Sequence, residues 1–236
     1  MKLSVCMATF NGEKYIARQL QSILCQLNAE DEVIISDDTS NDSTLKIIKN
    51  IGDKRVVLLE NNMFRNPTFN FENALKHSTG DIIFLSDQDD EWKPNKVEIT
   101  IELLKKYDMV VCDCELIDHD GNIIMDSFYK VNNSGKGLLK NFYKNTYLGC
   151  CMAFNRKLLN KALPFPEKIP MHDIWLGMIA SIFGDTCFTH HNLMYYRRHG
   201  NNSSTASGRS NNNLLNKIKF RYNLIVSLFA SFTQRK

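Results

Sequence analysis

No stretch of this 236-residue chain approaches the roughly 18 consecutive apolar residues that a membrane-spanning helix needs. A secretory leader is not expected either: Met1-Lys2 runs into the short apolar segment Leu3 to Ala8 and then polar Thr9. The seven cysteines form no evident framework. Cys112-x-Cys114 and Cys150-Cys151 lack the second half of a structural zinc site, and Cys6, Cys25 and Cys187 lie in apolar surroundings, so a reducing cytosol is the expected compartment. No Gly-x-Gly-x-x-Gly follows the first apolar run and no Gly-x-x-x-x-Gly-Lys-Ser/Thr occurs, which weakens simple dinucleotide and P-loop readings. There is no internal repeat. Acids are absent beyond Asp185, so the net charge of +3 divides into −5 over residues 1–185 and +8 over the remainder. Such a tail suits an anionic partner: a membrane surface, a diphosphate or nucleic acid.

What is present is enough apolar residue, 43%, to bury one α/β core. Short β-type runs alternate with helical periods: strands at Leu3–Ala8, Glu32–Ser36, Arg55–Leu59, a run from Ile82 to Leu85, and Asp108–Cys112. Helices are expected over Glu13–Leu27, after a cap at Asn41 or Asp42, over Asn70–His77, and after Pro94. Repeated βα units predict a mixed, mostly parallel sheet covered by helices, Rossmann-like in layout. The second half is less regular. A hairpin turns near Asp120-Gly121, residues 128–147 read as an irregular surface region, and Cys150–Phe154 reads as a strand. A helix follows from Asp173, then strands near Thr186–Thr189 and Leu193–Tyr196, and an Asn/Ser/Gly-rich loop over 199–213. The expected organisation is a nucleotide-binding half at 1–112, an acceptor-binding and catalytic half of the same domain at 113–212, and an amphipathic helix at 213–236.

Polar residues stand at successive strand ends: Thr9 and Asn11, Asp37 and Asp38, Asn61 and Asn62, Asp87 and Asp89, and Asp113. That is what a shared ligand crevice at one sheet edge requires. Ser86-Asp87-Gln88-Asp89-Asp90 is the densest of these groups. Three carboxylates there would raise one another's pKa unless a cation or ordered donors offset their charge, and a hard divalent ion holding a phosphate is the simplest resolution. A solvated acidic turn before a helix is the plain alternative.

Taken in order, Ser4–Gly12, Ile35–Thr44, Asn70–Ala74, Ser86–Trp92, His172-Asp173-Ile174-Trp175 and Tyr196-Arg197-Arg198-His199-Gly200-Asn201 resemble family 2 glycosyltransferases of the GT-A fold, over roughly residues 3–200. The variant is most like bacterial rhamnosyl- and galactosyltransferases of surface-polysaccharide assembly. The resemblance implies inverting transfer from a UDP- or dTDP-linked sugar to a saccharide acceptor, lipid-linked by expectation. It implies donor binding by Thr9, Asn11, Glu13, Asp38, Asn70, Asp87 and Arg198, with Asp38 on the base and Asp37 supporting that loop. Mn²⁺ or Mg²⁺ would sit on Asp89, Asp87 and His199, while Asp90 orders the loop. Asp173 would be the general base. Trp92, His172 and Trp175 would stand on the acceptor side, although aromatics beside strands are more often core. The loop after His199 would order over the bound donor.

The stripe Leu214, Ile218, Tyr222, Ile225, Phe229 and Phe232, with basic residues near both ends, could pack on the domain, pair with a second copy, or lie on the inner face of the cytoplasmic membrane. Two other functions compete. A nucleotidyltransferase would also use strand-end carboxylates, and a non-catalytic nucleotide- or polysaccharide-binding protein would use the same crevice. Nucleic acid is not an expected partner, because it accounts for the tail but not for the acids.

Overall fold

The computed structural model describes residues 1–199 and 214–233. Gly200, Asn201, the rest of the Asn/Ser-rich stretch to 213, Arg235 and Lys236 lie outside them, as do the side chains of Leu214, Lys217 and Phe232. The first half is β1 (Leu3–Thr9), α1 (Ile16–Leu24), β2 (Glu32–Asp37), α2 (Thr44–Ile51), β3 (Val56–Leu59), α3 (Pro67–His77) and β4 (Ile82–Asp87). There follow β5 (Glu91–Trp92), α4 (Lys96–Leu104), β6 (Met109–Ile117), β7 (Ile123–Met125), α5 (Phe128–Asn132) and α6 (Leu138–Tyr143). The chain then forms β8 (Met152–Asn155), α7 (Arg156–Ala162), α8 (His172–Phe183), β9 (Thr186–Arg197) and α9 (Leu214–Thr233). β1, β2, β3 and β4 pair in parallel, in the order β3-β2-β1-β4. β8 enters antiparallel between β4 and β6, and β9 runs parallel to β6 on its far side. The sheet is therefore mixed and mostly parallel.

Every residue of β2 is buried, as are the first five of β4, because helices cover both faces. α1 buries Ile16, Leu20, Ile23 and Leu24 from one stripe. α3 starts earlier than its apolar period suggests: the Asn66 side chain accepts the Thr68 N–H at 2.9 Å and Pro67 occupies the first turn. The register brings Thr9 beside Asp37 and Ala8 beside Asp87, so the C-terminal ends of three strands share one edge.

Several expectations change. Residues 128–147 hold α5 and α6, each too short to display a period; Ser127 caps the first by accepting the Lys130 N–H at 3.2 Å. The boundary expected at 112/113 falls inside β6, which is continuous across it. Asp113 is consequently not at a strand end. It is buried in mid-strand, accepting N–H bonds from Cys114 at 2.8 Å and Tyr129 at 3.0 Å and an O–H bond from Ser127. The two late strands are one, β9, whose pairing with β6 slips between Thr189 and Asn192. α9 seats on the domain through Leu224, Phe220 and Leu228, so the stripe of Ile218, Tyr222, Ile225 and Phe229 points outward.

Neither tryptophan is placed on an acceptor side. Trp175 is fully buried on α8, its indole N–H donating to the Ala162 carbonyl at 2.9 Å. Trp92 is buried against Phe84 at 5.4 Å between ring centres, under the Lys96 ammonium at 4.5 Å. Both belong to the core because they sit on elements that close the sheet. Trp175→Ala should therefore act on folding: urea unfolding should show a loss of about 3–5 kcal/mol, whereas a surface sugar-stacking residue would leave the midpoint in place.

Candidate active site

The edge where β1, β2 and β4 end is held by hydrogen bonds before any ligand arrives. Asp37, fully buried, accepts from the Thr9 hydroxyl at 2.8 Å and from the Ser40 N–H at 2.8 Å and hydroxyl at 2.6 Å. The Thr9 carbonyl accepts the Asp38 N–H at 2.9 Å and the Asn70 side-chain amide at 3.2 Å. Thr9 and Asp37 thus build the loop. Asn11, Thr39 and Asn61 adopt left-handed backbone conformations there, at φ 51°, 62° and 62°. For β-branched Thr39 this is a strained state, secured by its hydroxyl donating to the Asn62 carbonyl. Asn11 is secured by accepting the Asn41 N–H at 2.9 Å, and Glu13 accepts the Ser43 N–H at 2.9 Å. Half-buried Asp38 accepts the Phe64 N–H at 2.7 Å. Asn70 is 2% exposed and its amide oxygen has no partner among the described residues.

The acidic turn after β4 is fastened from three sides. The Gln88 side chain donates to the Phe10 carbonyl and accepts the Phe10 N–H, both at 2.9 Å, copying a backbone pairing between the β1 and β4 loops. Gly12 is required by this clamp, since a Cβ there would stand 2.3 Å from the Gln88 Oε1. Buried Gln19 on α1 donates to the Ser86 hydroxyl at 2.7 Å and the Asp87 carbonyl at 3.0 Å. Arg197, 3% exposed at the end of β9, braces the turn from the third side. Its backbone N–H donates to Asp90 Oδ1 and its Nε to the Asp89 carbonyl, both at 3.0 Å. The guanidinium also covers the Tyr15 ring at 4.8 Å, and His199 stacks on that ring at 5.5 Å while its Nε2 lies 2.7 Å from Asp89 Oδ2.

These contacts do not neutralise the turn. Burial, then the charge of Asp89, pushes the Asp87 carboxyl up to about 7, and Asp173 adds to the effect. Burial, then the charges of Asp89 and Asp87, raises Asp90 well above the usual range. Asp87, Asp90 and Cys150 present possible ligand atoms all within 4.8 Å of one another, and Asp90 Oδ2 is buried with no hydrogen-bond partner among the described residues. An orphaned buried carboxylate oxygen among acids fits a divalent cation. The grouping differs from the expected one: Asp87 is set with Asp90 and Cys150, whereas Asp89 is set with His199. Asp90, expected only to order the loop, does so through Oδ1, and its Oδ2 has no hydrogen-bond partner among the described residues. Cys150 arrives on a 3-10 turn, Gly149–Cys151, whose carbonyl at Cys150 accepts from the buried Lys96 ammonium at 3.0 Å.

Asp173, in the first turn of α8, is the remaining acid. Burial raises its carboxyl to about 6, against hydrogen bonds from the Ile174 N–H at 2.6 Å and the Asn145 side chain at 3.2 Å. His172 departs from expectation. It is 5% exposed, packed on Phe71 at 4.1 Å between ring centres, with its edge where a Cβ on Gly149 would come within 2.7 Å. Burial drops its pKa to about 3, so it stays neutral and supports the α8 terminus from within the fold instead of contacting an acceptor. Arg198 follows the buried end of β9, its Nη1 buried without a hydrogen-bond partner among the described residues. Gln88, Gln19, Tyr15, Arg197, Asn145 and Cys150 are the site residues that sequence reasoning missed. For Gln88 and Arg197 a signal existed, since both lie inside the quoted motifs.

Known proteins resemble this chain in sequence and in fold. The family described as Glycosyl transferase family 2 matches residues 4–163. The chain is 29% identical over 181 residues, 75% of its length and 69% of the relative's, to the Escherichia coli UDP-Glc:alpha-D-GlcNAc-diphosphoundecaprenol beta-1,3-glucosyltransferase WfgD. It is 31% identical over 143 residues to a Campylobacter jejuni GalNAc(5)-diNAcBac-PP-undecaprenol beta-1,3-glucosyltransferase, covering 59% of this chain and 44% of that one. Among solved structures, S. aureus TarS 1-349 in complex with UDP-GlcNAc aligns at TM-score 0.68 and 22% identity, over 89% of this chain and 61% of that chain. The Pyrobaculum calidifontis mannosyltransferase PcManGT, in complex with GDP-Man and Mn²⁺, aligns at TM-score 0.62 and 18% identity, over 99% of this chain and 64% of the other. Both share the GT-A architecture expected from the motifs.

Asp87 and Asp173 have folded pKa values above those of the unfolded chain, so the native state retains protons that the unfolded chain has released. Their contribution is complete below about pH 4 and lost as pH rises through about 7, whereas Glu32 and Asp53, lowered to about 2, stabilise the fold above about pH 5 and lose that contribution only as pH falls toward 2. In EDTA, stability measured by urea unfolding should fall by about 1–3 kcal/mol between pH 5.5 and pH 7.5. Mn²⁺ should restore most of it at the higher pH, and Asp90→Asn should flatten both responses.

Proposed function

The chain belongs to Glycosyl transferase family 2, and from that premise we propose that it moves a sugar, with inversion, from a UDP- or dTDP-linked donor to a hydroxyl of a saccharide acceptor carried on a lipid diphosphate. The observation that carries the reading is the pairing of two kinds of acid across one crevice. The Asp87–Asp90 group stands at the β4 end, and Asp173, its carboxyl raised to about 6, is close enough to add to the charge felt by Asp87. The glucosyl donor and undecaprenol-linked acceptors in the names of the two bacterial relatives support the donor and acceptor classes.

Roles follow from placement. Asp38, beside the strained Thr39, receives the base through its N–H. Asp87, Asp89, Asp90 and His199 would hold Mn²⁺ or Mg²⁺, with Cys150 beside them; such a cation stabilises charge on a departing nucleoside diphosphate. Arg198 brings an unpartnered guanidinium N–H to the same phosphates. Asp173 Oδ2, steadied by Asn145, takes the proton of the acceptor hydroxyl as its oxygen attacks the anomeric carbon. One base suffices, because the diphosphate leaves without a protein acid. A nucleotidyltransferase would not need a second carboxylate set apart from the cluster. On this reading the reaction takes place on the cytosolic side of the membrane.

A panel of nucleotide sugars with Mn²⁺ and a membrane extract, read as released nucleotide, tests the activity. Asp173→Asn should lower turnover by about 10²–10⁴ while UDP affinity by calorimetry stays within about threefold. Equal loss of UDP binding would remove Asp173 from the role of base. Because the base must be ionised, kcat/KM should rise with pH and level off above about 6. Asp89→Ala should weaken Mn²⁺-dependent UDP binding at least about tenfold.

A further inference from the structure

α9 has two apolar faces, and only one is used. Leu224 is fully buried against the domain, while Ile218, Tyr222, Ile225, Val226 and Phe229 follow helical spacing on the outside at 55, 66, 40, 45 and 69% exposure. α6 lies alongside. Arg221 of α9 donates from Nη2 to the Tyr143 carbonyl at 2.7 Å and covers the Tyr143 ring at 5.3 Å. α6 contributes Leu139 at 81% and Tyr143 at 78% exposure. Between the two helices runs an apolar groove of about 300 Å³, with Met178 and Ile182 of α8 in its lining. A continuous apolar surface of this kind marks a contact site.

The charges around it select the partner. No Asp or Glu occurs from Ser127 to Pro166 or after Asp185, whereas Lys136, Lys140 and Lys144 flank α6, and Lys219 and Arg221 lie on α9. Lys136, Lys140 and Lys219 are exposed, and none has an ion-pair partner among the described residues. Aliphatic and aromatic tips rimmed by cations, with no acid on α6 or α9, match a layer of anionic headgroups over acyl chains.

We propose that α6 and α9 together form a docking surface for an anionic phospholipid bilayer, with Leu139, Tyr143, Tyr222 and Phe229 entering the headgroup–acyl boundary and Lys136, Lys140 and Lys219 meeting lipid phosphates. The surface is joined to the crevice by two short links. Asn145, two residues beyond α6, holds Asp173, and the groove-lining Met178 and Ile182 are on the helix that Asp173 begins. Docking therefore holds the carboxylate near the lipid surface, where the hydroxyl of a lipid-linked acceptor stands. That consequence rests on the proposed function; the lipid contact does not.

Sedimentation with vesicles tests it. The protein should pellet with phosphatidylglycerol–phosphatidylethanolamine vesicles in about 0.05 M salt, and remain in solution with phosphatidylcholine vesicles or in about 0.5 M salt. Leu139→Asp combined with Phe229→Asp, at exposed positions, should weaken binding at least about tenfold, as should Lys136→Glu with Lys140→Glu. UDP binding in Mn²⁺ should be unchanged in both variants. Loss of UDP binding in the wild-type protein would instead count against the nucleotide-sugar reading while leaving the lipid result to stand. The inference is overturned if the wild-type protein stays in solution with anionic vesicles, or if the variants pellet equally. It is likewise overturned if light scattering shows a wild-type dimer that Leu139→Asp with Phe229→Asp splits, which would assign the face to a second copy.

Discussion

Three carboxylates on four consecutive residues, closed in by protein, are the constraint around which the rest of this structure is arranged. Left to themselves, Asp87, Asp89 and Asp90 would push the turn apart, because like charges repel most where water is scarce. The chain answers with one buried arginine. Arg197 gives its backbone N–H to one acid and its guanidinium to the carbonyl of another, and then extends to the carbonyls of Asp118 and His119 on the β6–β7 turn. Compensation is partial. The Asp90 oxygen without a partner among the described residues and the raised carboxyl of Asp87 mark a turn whose charge is incompletely balanced.

That arginine can reach the turn only because of the topology. A purely parallel sheet would leave residues 150–199 on the far side of the crossover helices. The antiparallel insertion of β8 next to β4 brings Cys150 under the acids, and β9 then runs out along β6 so that Arg197, Arg198 and His199 emerge over them. α8 is carried by the same detour, packed on α3 through His172 and Phe71, and this sets Asp173 across from β4. One carboxylate cluster and one separate carboxylate then lie close enough to feel each other's charge without sharing a loop. In the proposed reaction that division separates holding a leaving group from accepting a proton.

Much of the supporting layer consists of amides. Gln88, Gln19, Asn62, Asn70 and Asn145 each tie one segment to another, and all act through neutral groups that keep their geometry at any pH. Neutral clamps suit a place where additional charge would worsen an existing imbalance. The same reasoning applies to His172, whose pKa is lowered until it contributes shape alone.

The parallel half of the sheet, its helices and the acid cluster were legible in the sequence, because apolar runs of four to six residues ending in polar ones leave a period-two and period-3.6 signature that burial produces directly. Motif order carried the family and the positions of Asp173, Arg198 and His199. The fate of the tryptophans, of His172 and of Asp113 was not legible: a residue's type does not say which neighbour will cover it. The outward turn of the α9 stripe was likewise hidden, since Leu224 on the opposite face is equally apolar. Local sequence determined which segments could become strands and helices and which atoms could bear charge. Tertiary structure alone decided which of those atoms share a solvent-poor space, because burial and electrostatic coupling depend on contacts between residues tens of positions apart.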